Sequence, residues 1–367
     1  MNIYVTSEQV GLEGYWITDI LAGINKEALK KNLTVTYYNG EKIETSDEFA
    51  RPLVLAVGYS SKWMEDTCIR MQNCGVEPIL VNAAHDSNTE MLGASGFVSF
   101  GIKKAMFGVL NYLISGKKNR VCFFGGNEET HSDNVKAETF LEVARYFGLN
   151  VTENDIFKDY TLSDCAKSFE MSFAKYNAVV CCSDTAAVFL VKWLEERGIN
   201  VPKDIFVLGF GNSLASENLT PSITTVESNF VELGKQAVKL HQFLQRNIDV
   251  GNCSILVDCP IIERQSTGKL RFKKVHLQSK HGGSMPLYDA DPDVMMILQA
   301  EELLRMCDDI DKKIVNGLLL DKTIVSIAEG LFISVSAVKY RIKKMLTTAN
   351  LQNKEELVSI IKKYNVM

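Results

Sequence analysis

Several ingredients that would point quickly to one chemistry are scarce in this sequence. Its nine cysteines include no C-x-x-C pair and, apart from Cys181-Cys182, stand singly. In a context such as AVVCCSD they read as small core residues in a reducing cytoplasm, not as a disulfide framework or a thiolate metal site. The histidines (His85, His131, His241, His276 and His281) are too far apart in sequence to suggest a ligand cluster. No run of about 18 uninterrupted apolar residues occurs, so no membrane span is expected. The opening MNIYVTSEQVGLEG lacks the basic and apolar regions of a signal peptide. G-x-S-x-G, Walker and H-E-x-x-H motifs are all missing. Gly209-Phe210-Gly211 approaches a dinucleotide-binding turn but lacks the third glycine. The reading is therefore a non-enzyme, with no catalytic residue, metal ligand or cofactor assigned.

What is present is ordinary globular protein with an uneven charge. The 367 residues are 46% hydrophobic and 23% charged, enough for two or three domains with real cores. Net charge is −5, which argues against a chain that coats nucleic acid along its whole surface. From Val335 to the end, however, seven Lys/Arg face two Glu, a local +5 that leaves −10 on the remainder. Any nucleic-acid contact belongs to this tail.

The first 270 residues alternate two periods. Short apolar runs (Ile3–Thr6, Leu33–Tyr38, Pro52–Val57, Pro78–Val81, Arg120–Phe124, Asp155–Tyr160, Ala178–Cys182, Ile205–Phe210) read as strands. Between them, Trp16–Lys30, Ser61–Asn73, Ile102–Ile114, Val135–Phe147, Leu162–Ala174 and Thr185–Arg197 read as helices. Repeated βα units with short connections predict an α/β fold with parallel sheets covered on both faces, arranged as two doubly wound lobes. A helix at Val231–Leu244 followed by strands at Ser254–Val257 and Pro260–Arg264 predicts a return to the first lobe and a crossing back. Ligands in such architecture sit beyond the carboxyl ends of the strands.

The C-terminal quarter changes character. Lys273–Asp291 is polar, holds Gly282-Gly283-Ser284, and reads as a linker; Asp291-Pro292 then starts a helix over Val294–Met306. Thr323–Glu329 reads as a short helix and Gly330 as the tight turn after it. A helix from about Val335, capped by Ser334, places Val338, Ile342, Met345 and Leu346 on one face. Ser336, Lys339, Tyr340, Lys343, Lys344 and Thr347 fall on the other. Acidic residues are absent from Leu331 to Leu351, so these cations have no local partners. The alternatives are a helix-turn-helix for DNA and an ordinary surface helix pair with a solvated lysine face. The last helix begins at Asn353 with Glu356 as a capping box, and its stripe Leu357, Ile360, Ile361, Tyr364 either pairs two subunits or packs on its own domain.

Two resemblances sharpen this. Val201-Pro202-Lys203-Asp204 leading into Val207-Leu208-Gly209-Phe210, then Leu219-Thr220-Pro221 with Thr224-Thr225-Val226, and Glu263-Arg264-Gln265-Ser266-Thr267 make Gly14–Thr267 similar to the effector-binding domain of lac-repressor-type regulators, related to type I periplasmic sugar-binding proteins. Asp308–Tyr364 resembles the four-helix LuxR-type DNA-binding domain, through Ile327-Ala328, Leu331-Phe332-Ile333-Ser334 and Val338-Lys339. In lac-repressor-type proteins the helix-turn-helix is N-terminal, whereas this candidate is C-terminal and of another type.

The combined expectation is two periplasmic-binding-protein-like lobes plus a small all-α helix-turn-helix domain. Residues 1–116 with 229–257 form one lobe, 117–228 with 258–272 the second, 273–291 the linker and 292–367 the helical domain. The first resemblance implies a small polar effector, possibly a sugar. Tyr15 and Trp16 fall where that family has aromatic residues at the cleft; equally, they fit a staple for the helix that follows. Tyr160, at a strand end, is a second stacking candidate. Asp184 matches an acidic or amide ligand position and competes with a role as N-cap. Asn212 stands where an Asp is common and Lys136 where an Arg is common, so the bidentate fork is missing. The second resemblance implies Lys339, Tyr340 and Lys343 at base edges in the major groove, with Arg341 and Lys344 on phosphate and Ser336 on the same face. The whole reads as a cytoplasmic homodimeric regulator. The alternatives are a ligand-free dimerisation or docking platform on the same DNA binder, or a ligand-binding protein whose last helices contact protein.

Overall fold

Unbroken apolar runs such as Leu53–Val57 make strands buried on both faces, and all five of its residues are buried. In the structure, a computed structural model, residues 2–9, 15–40, 43, 51–58, 60–81, 92–126, 131–268 and 292–364 are described. Strands β1 (Asn2–Ser7), β2 (Thr34–Tyr37), β3 (Leu53–Val57), β4 (Glu77–Val81), β5 (Gly96–Phe100) and β11 (Cys253–Val257) form one sheet in the order β11-β5-β4-β3-β1-β2. All its pairings are parallel. Strands β6 (Val121–Gly126), β7 (Ile156–Lys158), β8 (Ala178–Cys181), β9 (Phe206–Gly211), β10 (Thr224–Glu227) and β12 (Ile261–Ile262) form the other, in the order β12-β10-β9-β8-β6-β7. Only the β10–β12 pairing there is antiparallel.

The two doubly wound lobes expected from the alternation are thus present, and the predicted return of the chain is seen in β11 and β12. Helices α1 (Tyr15–Lys30) and α2 (Ser61–Asn73) belong to the first lobe. Helix α3 (Ile102–Ser115) does not, although residue 116 was the expected boundary. Its buried Met106, Phe107, Leu110 and Leu113 join the second lobe's core and it packs on α4 (His131–Tyr146), so the crossing comes at Gly101. Helices α5 (Leu162–Glu170), α6 (Asp184–Glu196) and the short α7 (Leu214–Asn218) complete the second lobe. Helix α8 (Phe230–Arg246) returns to pack along α1. That packing is close enough to require glycine on both sides: a methyl at Gly23 would lie 2.0 Å from the Val231 carbonyl oxygen, and one at Gly234 2.0 Å from that of Ile20.

The C-terminal residues form five helices: α9 (Pro292–Met306), α10 (Asp309–Leu319), α11 (Ile324–Leu331), α12 (Val335–Thr348) and α13 (Lys354–Tyr364). The linker 273–291 lies outside the described residues. Helix α9 buries Val294, Ile297, Leu298, Ala300 and Leu303, which spread over more than half of its circumference because it is covered on two sides. It packs on α6 and α7 of the second lobe and on α12 and α13 of the helical unit, and one continuous apolar core runs through both. Among the described residues no helix is long and apolar enough to cross a membrane.

Candidate functional site

The carboxyl ends of the second lobe's strands carry a buried polar cluster centred on Asp184. Ser183, not Asp184, is the N-cap of α6: its hydroxyl accepts from the Ala186 N–H at 3.2 Å. Asp184 opens the helix and turns inward, only 3% exposed. One carboxylate oxygen accepts from the Thr225 hydroxyl at 2.5 Å; the other accepts from the Ser216 hydroxyl at 2.6 Å and the Ser213 N–H at 2.7 Å. Burial pushes its pKa up, against these donors and the Arg264 guanidinium, which pull it down. The N-cap role thus falls to Ser183, and the Asp184 carboxylate ties α6, α7 and β10 together. Gly209 makes room for it, since a methyl there would lie 2.2 Å from an Asp184 carboxylate oxygen.

Asn212 follows β9 in a left-handed conformation, φ 58°, one of the few side chains that tolerate it. Its side-chain oxygen accepts from Arg264 at 2.6 Å, and Arg264 also donates to the Ile223 carbonyl at 3.1 Å and to Ser216 at 3.4 Å. Asp184 and Asn212 thus share one network. Lys136 stands 5.8 Å over the Phe210 ring, two residues before Asn212, and 3.5 Å from Asp133. Asp184 and Asn212 are therefore joined through hydrogen bonds, while Lys136 reaches this part of the lobe through the Phe210 ring of β9. Tyr160, at the start of the turn into α5, is 65% exposed. Trp16 is buried in the first lobe's core with Ile3, Val5 and Ile20, its ring 6.1 Å from Phe230. The Tyr15 side chain, and the segments 10–14 and 127–130 after β1 and β6, lie outside the described residues.

The second candidate is the surface of α12. Thr323 caps α11 and Ser334 caps α12, each accepting an N–H at 3.1 Å. The turn between them differs from expectation. Gly330 stays within α11, and Phe332 takes the left-handed C-cap at φ 54° with its side chain 95% exposed. Val338, Ile342 and Met345 are buried, while Ser336, Lys339, Tyr340, Lys343 and Lys344 are all exposed. Among the described residues no carboxylate pairs with Lys339, Lys343 or Lys344. Arg341, expected on phosphate, instead turns to α10: it bonds both Asp308 oxygens at 2.9 and 3.0 Å and Asp311 at 2.8 Å. The α13 stripe is likewise committed inward, with Leu357, Ile360, Ile361 and Tyr364 all buried within the chain.

Sequence reasoning missed Arg264 as the organiser of the network and Glu301 on α9. Arg264 carried a signal, because it stands in the Glu263–Thr267 stretch of the first resemblance. Glu301 carried none, as it looked like one more polar position on an amphipathic helix.

Comparison with known proteins matches residues 110–267 to the periplasmic binding protein-like domain. The chain is 28% identical over 170 residues to the HTH-type transcriptional repressor CytR of Escherichia coli K12, covering 45% of this chain and 50% of that one. It is 26% identical over 195 residues to catabolite control protein A of Priestia megaterium, covering 52% and 58%. The chain therefore spans about half the length of the curated relatives it matches. Among solved structures, the transcription regulator CcpA of Lactococcus lactis superposes with a TM-score of 0.57 at 18% identity, covering 73% of this chain and all of that one. A LacI family regulator from Weissella paramesenteroides with bound glucose gives 0.53 at 18%, covering 73% and 98%. The two lobes have the periplasmic-binding-protein-like fold.

Proposed function

We propose that this chain is a cytoplasmic, homodimeric transcription regulator. Its two lobes sense a small polar, sugar-like effector between them, and its C-terminal helices bind DNA as a LuxR-type helix-turn-helix. The observation that carries the DNA reading is the α12 surface, where Lys339, Tyr340, Lys343 and Lys344 are exposed together. Two capped helices joined by a tight turn, the second one cationic and exposed, have the arrangement by which a helix-turn-helix enters a major groove. In this reading Lys339, Tyr340 and Lys343 meet base edges and Lys344 meets phosphate. The Arg341 contact to phosphate is withdrawn because Asp308 and Asp311 hold that side chain. The name of one curated relative, an HTH-type transcriptional repressor, supports the same reading.

The test is fluorescence anisotropy of the full chain on a site selected in vitro and on random duplex, across a salt series. Binding should weaken steeply with salt, and Lys344→Ala should reduce the logarithmic slope by about one on both duplexes. Lys343→Ala should weaken the selected site by about 1–3 kcal/mol and random DNA much less. Equal loss on both would sink the base contact, and salt-independent binding the DNA reading altogether.

The Asp184 network favours a second reading, in which the first domain is a ligand-free platform. A carboxylate filled by three donors of its own lobe, and an Asn212 oxygen filled by Arg264, leave less polar capacity for a sugar's hydroxyls.

A further inference from the structure

Helix α9 carries two ionic side chains one turn apart on the same face, and each leads to a different lobe. Glu301, 3% exposed, accepts from the backbone N–H groups of Leu214 at 3.0 Å and Ala215 at 2.6 Å, the first residues of α7. A carboxylate this buried is costly unless paired, and the unsatisfied amides at the start of α7 are what it pairs with. Four residues on, Arg305 stands 3.2 Å from Glu301 and 3.6 Å from Asp19 of α1 in the first lobe. At the other end of α9, Asp293 accepts from Ser163 of α5 at 3.2 Å and from Lys363 of α13 at 3.0 Å. The helix is thus fixed to the second lobe along most of its length, and its last turn reaches across to the first.

We propose that α9 is a clasp between the lobes and the C-terminal helices, so that a change in the angle between the lobes is felt by those helices directly and not through the segment 269–291. The reasoning is geometric. The chain passes between lobes after β5, after β10 and after β11, so rotation about these crossings moves Asp19 relative to α7. Helix α9 shares the second lobe's apolar core and cannot follow the first lobe. The Arg305–Asp19 pair therefore forms or parts as the lobes turn, while Glu301 keeps Arg305 aimed. Both partners of the pair are about a third exposed. A contact of this kind shifts an equilibrium only a few fold, enough to bias a bistable joint without locking it. The inference rests on the proposed function only for what the helices do once moved.

The test uses the full chain without DNA. Spin labels introduced as unnatural amino acids at Leu29 on α1, Met171 beyond α5 and Thr347 on α12, all exposed, report first lobe to helices and second lobe to helices. Asp19→Asn and Arg305→Met should each move a few fold more molecules out of the main Leu29–Thr347 distance and leave Met171–Thr347 unchanged. The double variant should match the single ones, because both remove the same contact. An unchanged Leu29–Thr347 distribution in Asp19→Asn, a surface change that does not threaten folding, overturns the clasp. So does a Met171–Thr347 distance that shifts equally. Absence of DNA binding with these shifts present would count against the regulator reading and not against the clasp.

Discussion

At the scale of single residues, Asp184 illustrates how a site position becomes an organising one. Its two oxygens satisfy Ser213, Ser216 and Thr225, and removing the carboxylate takes the acceptor from the Ser213 N–H and leaves the two hydroxyls only the Ser213 and Val226 carbonyls, at 2.8 and 3.4 Å. Each such loss costs about 1–3 kcal/mol, so Asp184→Ala should lower stability by about 2–4 kcal/mol in urea unfolding, since some donors will find water. A loss under about 1 kcal/mol would mean that the network relaxes around the gap. Asp308 gives a pH prediction. The Asp311 N–H and then Arg341 hold its pKa down at about 2, against an ordinary 3.8. A depressed carboxylate stabilises the fold fully above its unfolded pKa, and that contribution is lost as pH falls through the folded one. Its share should therefore fade between about pH 4 and pH 2, and Arg341→Met should raise the Asp308 pKa measured by carboxyl-carbon NMR. No movement of that pKa would show that the backbone alone depresses it. Neither network was readable in advance. Asp184 could be named from the sequence, but its partners lie 29 to 41 residues away and meet it only through the sheet order.

At the scale of elements, the alternation of periods located nearly every long helix and most strands, because burial on both faces leaves an unbroken apolar run. The misses have physical causes. Strand β5, GFVSF, mixes Gly and Ser into its run, and β10, TTVE, buries two threonines where an apolar pattern would have shown. Their hydroxyls are satisfied by Asp184, Thr267 and the Arg264 carbonyl, partners no local pattern reveals. Helix α13 was legible as an amphipathic stripe, yet periodicity says only that a face is covered. Here the cover is the chain itself, including α9 and α10. Helix α9 has the same lesson in a polar residue. Glu301→Ala should strip the start of α7 of its acceptor and cost about 1–3 kcal/mol. Amide exchange at Leu214 and Ala215 should then quicken ahead of the rest of the second lobe. Exchange that stays uniform across the lobe would place the stabilising role of Glu301 elsewhere.

At the scale of the whole molecule, the open choice is between a sensor and a platform, and it turns on whether the cleft gains free energy from a small molecule. The −10 carried outside the cationic tail keeps the lobes away from DNA under either reading, so both predict the same DNA binding without effector. They part in thermal unfolding with a panel of sugars and nucleosides. A compound at 100 times its dissociation constant adds about 2.7 kcal/mol to the folded state, which raises Tm by several degrees for a domain near 100–150 residues and by fewer for larger ones. A sensor should respond to one chemical class and ignore its neighbours. Lys136→Met should abolish that response if the ammonium over Phe210 meets the ligand; because its pair with Asp133 is largely buried, the unliganded Tm should fall too, so the response is read as the shift from the variant's own unliganded Tm. If no compound moves Tm, the saturated Asp184 network is the better guide, and the lobes act on α9 through contact with another protein surface instead of through a ligand.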